Sequence, residues 1–329
     1  MAAERTTRAW PWVIAILAIA LVAVLAIGAW ATWRPLSEYD AARLTARDIV
    51  TSVDESSRDD VPRETVDRQL SALGPAATPA QRDRLDEQSA QTTDSSTASG
   101  SPAAEASEPA PADVDLPSAV SRMADLASNQ EDPELAATMS GIAASWSAVI
   151  AREDPTAQPL MRSDAPEEPA AAGAPDRDQD DDSSAESDER CTPELTAVAT
   201  QVDRALFTAQ SAEARGTDSS DTAQALDEWQ ENLERIQDQP AVMSLYECQP
   251  RPARGGYEVP RDMTEDPAAA AGEVARDVSE YSQSAIAAVT PTERAWLLDL
   301  LESSARAQAL LQPSDPVPAL VGEHLATDR

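Results

Sequence analysis

Lysine is absent: all 25 basic residues are Arg, set against 59 acidic ones, for a formal net charge of −34 over 329 residues. A surface this negative repels a phosphate backbone, which excludes nucleic acid as a partner. One His, two Cys and aromatics at 4% narrow the chemistry further. Zinc-finger frameworks, multi-His metal centres and a Ser/His or Cys/His site with His to spare have too few residues to be built from. A convincing alternating strand pattern is missing as well. What remains is rich in Ala, about a fifth of the chain, with 25 Pro and long Ala/Ser/Asp/Glu stretches that read as linker.

The strongest signal is the uncharged run from Ala9 to Trp33, bounded by Arg8 and Arg34. At about 1.5 Å per residue it is long enough to cross a hydrocarbon core of roughly 30 Å with some tilt. Trp10 and Trp12 at one end and Trp30 and Trp33 at the other stand where aromatic belts anchor a helix at the two interfaces. Arg5 and Arg8 precede the run, and the other 23 Arg and 58 acidic residues follow it. This predicts a single-pass helix in the plasma membrane, with residues 1–8 cytoplasmic and everything after residue 33 extracytoplasmic. The competing reading is a cleavable signal peptide, with Ala29-Trp30-Ala31 as its cleavage site. The length of the run and its paired Trp favour the anchor.

Beyond the anchor, residues 34–90 carry weak helical patterns and are expected to form a partly helical stalk. Residues 91–113 and 154–190 lack the apolar residues that offset ordering entropy, and read as disordered linkers, the second strongly acidic. Asp176-Arg177-Asp178-Gln179-Asp180-Asp181-Asp182 opens like a calcium loop. Its sixth position is Asp181 instead of Gly and its twelfth Ser187 instead of Glu, which makes it a solvated spacer.

Helices from residue 116 onward announce themselves by a repeated start. Asp132-Pro133, Thr192-Pro193, Asp266-Pro267 and Thr290-Pro291 each put a capping side chain before Pro at the first turn. Thr290-Pro291-Thr292-Glu293 adds the Glu of a capping box. Apolar residues follow at helical spacing, as in Leu195, Val198, Val202 and Leu206, or Leu226, Trp229, Leu233 and Ile236. Two helices form a pair within 116–153. Four more form two hairpins, at about 193–214 with 220–238 and about 267–288 with 291–312. A long crossover, 239–265, joins the hairpins, which is the ferritin-like connection of a four-helix bundle. The tail is 313–329.

Tyr257-Glu258-Val259-Pro260, Asp266-Pro267-Ala268-Ala269 and Thr290-Pro291-Thr292-Glu293-Arg294 resemble the ferritin-like domain of unknown function of exported actinobacterial proteins. In that family an x-Tyr-x-x-Pro crossover precedes two Ala-rich helices. The resemblance covers about residues 191–312 and implies a fold, with no activity to carry over. A di-iron site needs two Glu-x-x-His motifs in the bundle core. The one His, His324, stands in the tail with Val321 three residues before it, so neither motif exists. Glu194, Glu213, Glu234, Glu273 and Glu280 are read as solvated helix faces, and His324 as a surface residue.

Cys191 precedes one helix of the first hairpin and Cys248 follows the other, so an antiparallel pair brings them together. A structural disulfide is expected in an oxidising compartment; a redox pair and two free thiols are the alternatives. The expectation for the whole chain is all-α: an anchored, non-catalytic envelope protein whose helical domain binds another protein or the cell wall. No catalytic residue, cofactor or metal ligand is identified. The alternative is a small-ligand or metal-binding bundle, with Trp229, Tyr281 and Trp296 as pocket lining. An enzyme comes third, for want of a nucleophile or base.

Overall fold

The computed structural model describes residues 36–56, 60–87, 115–161, 191–216, 219–248, 257 and 260–322. The apolar run 9–33, with Trp10, Trp12, Trp30 and Trp33, lies outside the described residues, as do linker 91–113, the acidic run and His324. Among the described residues every regular element is helical. The chain divides into two units, 1–41 with 76–106, and 42–75 with 107–329. In the first, a helical run over 79–87 starts at Thr78, whose backbone N–H and hydroxyl both donate to Gln81 Oε1 at 2.9 and 3.0 Å. Gln81 N–H donates back to Thr78 Oγ1 at 3.4 Å, which completes a capping box.

The larger unit holds most of α1 (Glu38–Ser56), then α2 (Arg63–Ala72), α3 (Leu116–Asn129) and α4 (Pro133–Glu153). After these come α5 (Pro193–Arg215), α6 (Ser220–Gln237), α7 (Pro240–Cys248), α8 (Pro267–Ile286) and α9 (Ala295–Leu311). Three of the sequence-marked starts are capped as expected. Asp132 accepts from Leu135 N, Thr192 from Leu195 N and Asp266 from Ala269 N, each followed by Pro at the first turn. The fourth differs: Pro291–Glu293 is a 3-10 turn, Thr290 caps no N–H, and α9 begins only at Ala295. There Thr290 Oγ1 donates instead to Glu293 Oε2 at 3.2 Å. Gly216 closes α5 at φ +80, a conformation that L side chains rarely adopt.

Helices α5, α6, α9 and α8 touch in turn around a closed ring, α5 against α6, α6 against α9, α9 against α8 and α8 against α5. The ring core includes Val198, Val202, Leu226, Leu233, Val274, Val278, Leu297 and Leu300, all buried. Outside it, α4 packs on α9 and α3 on α4, so the 116–153 pair docks on the ring and joins the same hydrophobic cluster. Helix α4 is the one described helix long and apolar enough to cross a membrane. Its buried residues include Leu135, Met139, Ile142 and Trp146, because α3 and α9 cover it. It is a core helix by environment.

Three segments differ from their expected roles. The stalk is helical, but its residues 42–75 belong to the larger unit, with Val50, Val53, Val66 and Leu73 in the common core. Gln69 is fully buried between Trp146 Nε1, from which it accepts at 3.2 Å, and Ala319 O, to which it donates at 2.9 Å. Residues 154–161, expected to be linker, are instead held against α9, and Met161 is buried. The tail is a strap over α4 as far as residue 322: Ala319 and Val321 are buried and Ser145 Oγ donates to Pro318 O at 2.7 Å. The strap comes so close that a Cβ on Gly141 would lie 3.0 Å from Val321 O.

The absence of Lys has a structural counterpart in how helices end. Orphan carbonyls at a helix C-terminus need donors, and a guanidinium fork can serve several at once. Arg43 and Arg47 on α1 reach Leu70, Leu73, Gly74 and Pro75 O at the end of α2. Buried Arg294 donates to Ala127 and Gln130 O at the end of α3, and to Val289 O just after α8. Arg152 on α4 does the same for Ala309 and Gln312 O at the end of α9. Each places positive charge at a negative helix end while tying two segments together.

Candidate functional site

Helix α9 is buried on almost every side, and the three charged residues in its sequence are buried with it: Asp299, Glu302 and Arg306. Buried charges persist when paired or hydrogen-bonded. Asp299 receives Nη2 of Arg235 from α6 at 2.5 Å. Glu302, with no exposed surface, accepts from Ser147 Oγ at 2.5 Å and from the backbone N–H of Leu160 and Met161 at 2.7 Å each. Burial is the largest influence on this carboxyl and raises its pKa. The Leu160, Ser147 and Met161 donors, with the positive charge of Arg306, pull the other way. In effect Glu302 fastens the 154–161 segment and α4 onto α9.

Arg306 lies one turn further along α9 and donates through Nη2 to Ala157 O in the same segment. Burial lowers its pKa, while Glu302, Glu228 and Asp154 oppose that shift. Beside it opens a cleft of about 380 Å³ bounded by α6, α9 and the turn over 156–159. Trp229, Ala307 and Leu310 supply an apolar wall; Glu228 and Glu231 are exposed at its edge. Nη1 of Arg306 and Nδ2 of Asn232, both from residues lining this cleft, are buried without a partner among the described residues. Leaving a buried donor unpaired costs about 1–3 kcal/mol.

A second cleft, about 740 Å³, runs between α2, α4 and the strap at 316–319. Glu153 on its wall has a raised pKa, from burial first and then from neighbouring Asp60. Its described polar groups include no orphaned donor. Among the described residues, no three His, Cys, Asp or Glu side chains gather closely enough to hold a metal ion.

Of the residues singled out from sequence, Trp229 lines the first cleft and donates through Nε1 to Ser304 Oγ at 3.4 Å. Tyr281 packs half-buried against the core and Trp296 is buried; the linings of these two clefts include neither. Glu194, Glu213, Glu234 and Glu273 are exposed, and Glu280 is half-buried. Cys191 is disulfide-bonded. Cys248 ends α7, with its side chain outside the described residues. Glu302, Arg306, Asn232 and Arg235 were not singled out. A signal for two of them existed: a helix apolar all round is buried, and its few charges go in with it.

Comparison with known proteins finds no matching family model, no matching curated protein and no matching solved structure.

Proposed function

We propose that this chain is a membrane-anchored, non-catalytic protein of the cell envelope, whose helical body stands on the extracytoplasmic side as an interaction module for a protein or wall partner. The disulfide-bonded state of Cys191 carries this reading, because such bonds persist in oxidising compartments. Cys248 is its proposed partner, as the second of only two Cys in the chain. The apolar run 9–33, with Trp at both ends and Arg before it, supports the single-pass anchor and the direction of crossing.

The order of contacts supports a ferritin-like connection. Helices α5 and α6 form one hairpin, α8 and α9 the other, and residues 239–265 cross between them. Helix α6 meets α9 and α5 meets α8, which leaves α6 and α8, the helices joined by the crossover, diagonal in the ring. With that resemblance come a layout and a location outside the membrane, and no reaction.

Protease treatment of intact spheroplasts expressing the chain with a tag at each end tests the topology. The C-terminal tag is expected to be lost from outside while the N-terminal tag survives until the membrane is permeabilised. Protection of both tags in intact spheroplasts, or release of the whole body into the medium, would refute the anchored reading.

A further inference from the structure

The cleft between α6, α9 and the 156–159 turn asks for a ligand of particular chemistry. Two donors of residues that line it, Arg306 Nη1 and Asn232 Nδ2, are buried without an acceptor among the described residues, and Arg306 is only 6% exposed. The Asn232 amide has a defined orientation, because its Oδ1 already accepts from Arg235. Arg235 is in turn committed to Asp299. What these two donors lack is an acceptor oxygen.

A plain anion fits poorly. Glu228 and Glu231 stand exposed at the edge of the same cleft, and Asp154 also acts on Arg306, so a multiply charged group such as a phosphate meets repulsion on entry. A ligand with its own cation turns those carboxylates into partners. The apolar wall of Trp229 and Leu310 adds room for a hydrocarbon group, and about 380 Å³ sits at the lower end of small-molecule sites. We propose that this cleft binds a small zwitterion of the amino-acid type. Its carboxylate accepts from Arg306 and Asn232, its ammonium faces Glu228 and Glu231, and its apolar side chain lies along Trp229 and Leu310. Both orphan donors are covered from water in the empty cleft, so entry shifts the 156–159 turn, whose Thr156, Gln158 and Pro159 are exposed. This goes beyond the anchored reading and does not depend on it.

Equilibrium dialysis of radiolabelled L-leucine against the detergent-solubilised full chain tests the site, with unlabelled acetate and n-butylamine as competitors that each carry one charge. Saturable leucine binding is expected, with acetate and butylamine each at least tenfold weaker as competitors. The substitution Asn232→Ala is expected to weaken leucine about fivefold or more. The double change Glu228→Gln with Glu231→Gln, on exposed positions that leave the core intact, should weaken leucine and strengthen acetate, because it removes the partners of the ammonium and the repulsion felt by a lone anion. No leucine binding at millimolar concentration overturns the proposal, as does binding that none of these changes affects. Acetate competing as well as leucine would overturn the zwitterion assignment.

Discussion

Helices α6 and α9 lie against each other in the ring and treat charge in opposite ways. In α6 the apolar residues Ala225, Leu226, Trp229, Leu233 and Ile236 form one buried face, while Asp221, Asp227, Glu228, Glu231 and Glu234 are all exposed. In α9 the apolar residues run all round, and Asp299, Glu302 and Arg306 are buried with them. An acidic residue on α6 contributes solvation. On α9 the same residue type supplies contacts between segments more than a hundred positions apart, as Glu302 does with Ser147, Leu160 and Met161. The number of acidic residues in this chain therefore says little about its stability; their position in the packing decides it.

The sharpest way to break the comparison is to remove one carboxylate from each helix. Glu302→Ala strands the buried Ser147 hydroxyl, the buried Met161 N–H and the part-buried Leu160 N–H, for an expected loss of about 3–5 kcal/mol. Glu234→Ala removes an exposed acceptor of Gln230 and should change stability by less than about 0.5 kcal/mol. Chemical unfolding of the full chain in detergent compares the two. The pH dependence sharpens it further. A carboxyl whose pKa is raised by folding contributes its stability fully below its ordinary value, 4.5 for Glu302, and loses it as pH rises through the raised value. Glu302→Gln does not ionise, so its unfolding midpoint should gain on that of the wild type between about pH 4.5 and neutrality. Parallel curves across that range would mean that the three donors outweigh burial.

Next in size is the covalent tie at the start of α5. Cys191→Ser, or reduction of the native chain, should cost about 2–4 kcal/mol if the bond closes the loop of about 58 residues to Cys248. Cys248→Ser should then match Cys191→Ser, and the double change should cost no more than either alone. Two single changes whose costs add would instead separate the two cysteines.

How much of this was legible depended on whether the signal was local. Asp132, Thr192 and Asp266 cap within three residues of themselves, and the helices they start end within two residues of where the apolar spacing puts their ends. The hairpin pairing followed from short loops for the same reason. The docking of 42–75 was not legible, because its buried polar tie to the body runs through the side chain of Gln69, to Trp146 Nε1 and Ala319 O at sequence separations of 77 and 250. Segments 154–161 and 313–322 have no periodicity at all; they are fixed by Glu302 and Ser145 at sequence separations of about 142 and 173. The cleft donors were hidden likewise, since Asn232 and Arg306 come to line one cleft only when α6 and α9 pack.

The finest distinction between the two helices lies at their N-termini. Ser219 begins α6 as an ordinary cap, its Oγ accepting from Thr222 N at 3.1 Å. Helix α9 has no such cap: the 3-10 turn Pro291–Glu293 delivers the chain to Arg294, which is buried and fixed by its own side-chain bonds to three carbonyls. Ser219→Ala should therefore cost about 1 kcal/mol, the usual worth of an N-cap. Thr290→Ala, in the motif that looks more like a cap in the sequence, should cost only a few tenths, because its hydroxyl serves an exposed Glu293 and no helix N–H. Equal losses at the two positions would mean that the 3-10 turn needs Thr290 to start α9, and that a tertiary anchor such as Arg294 does not replace a local cap.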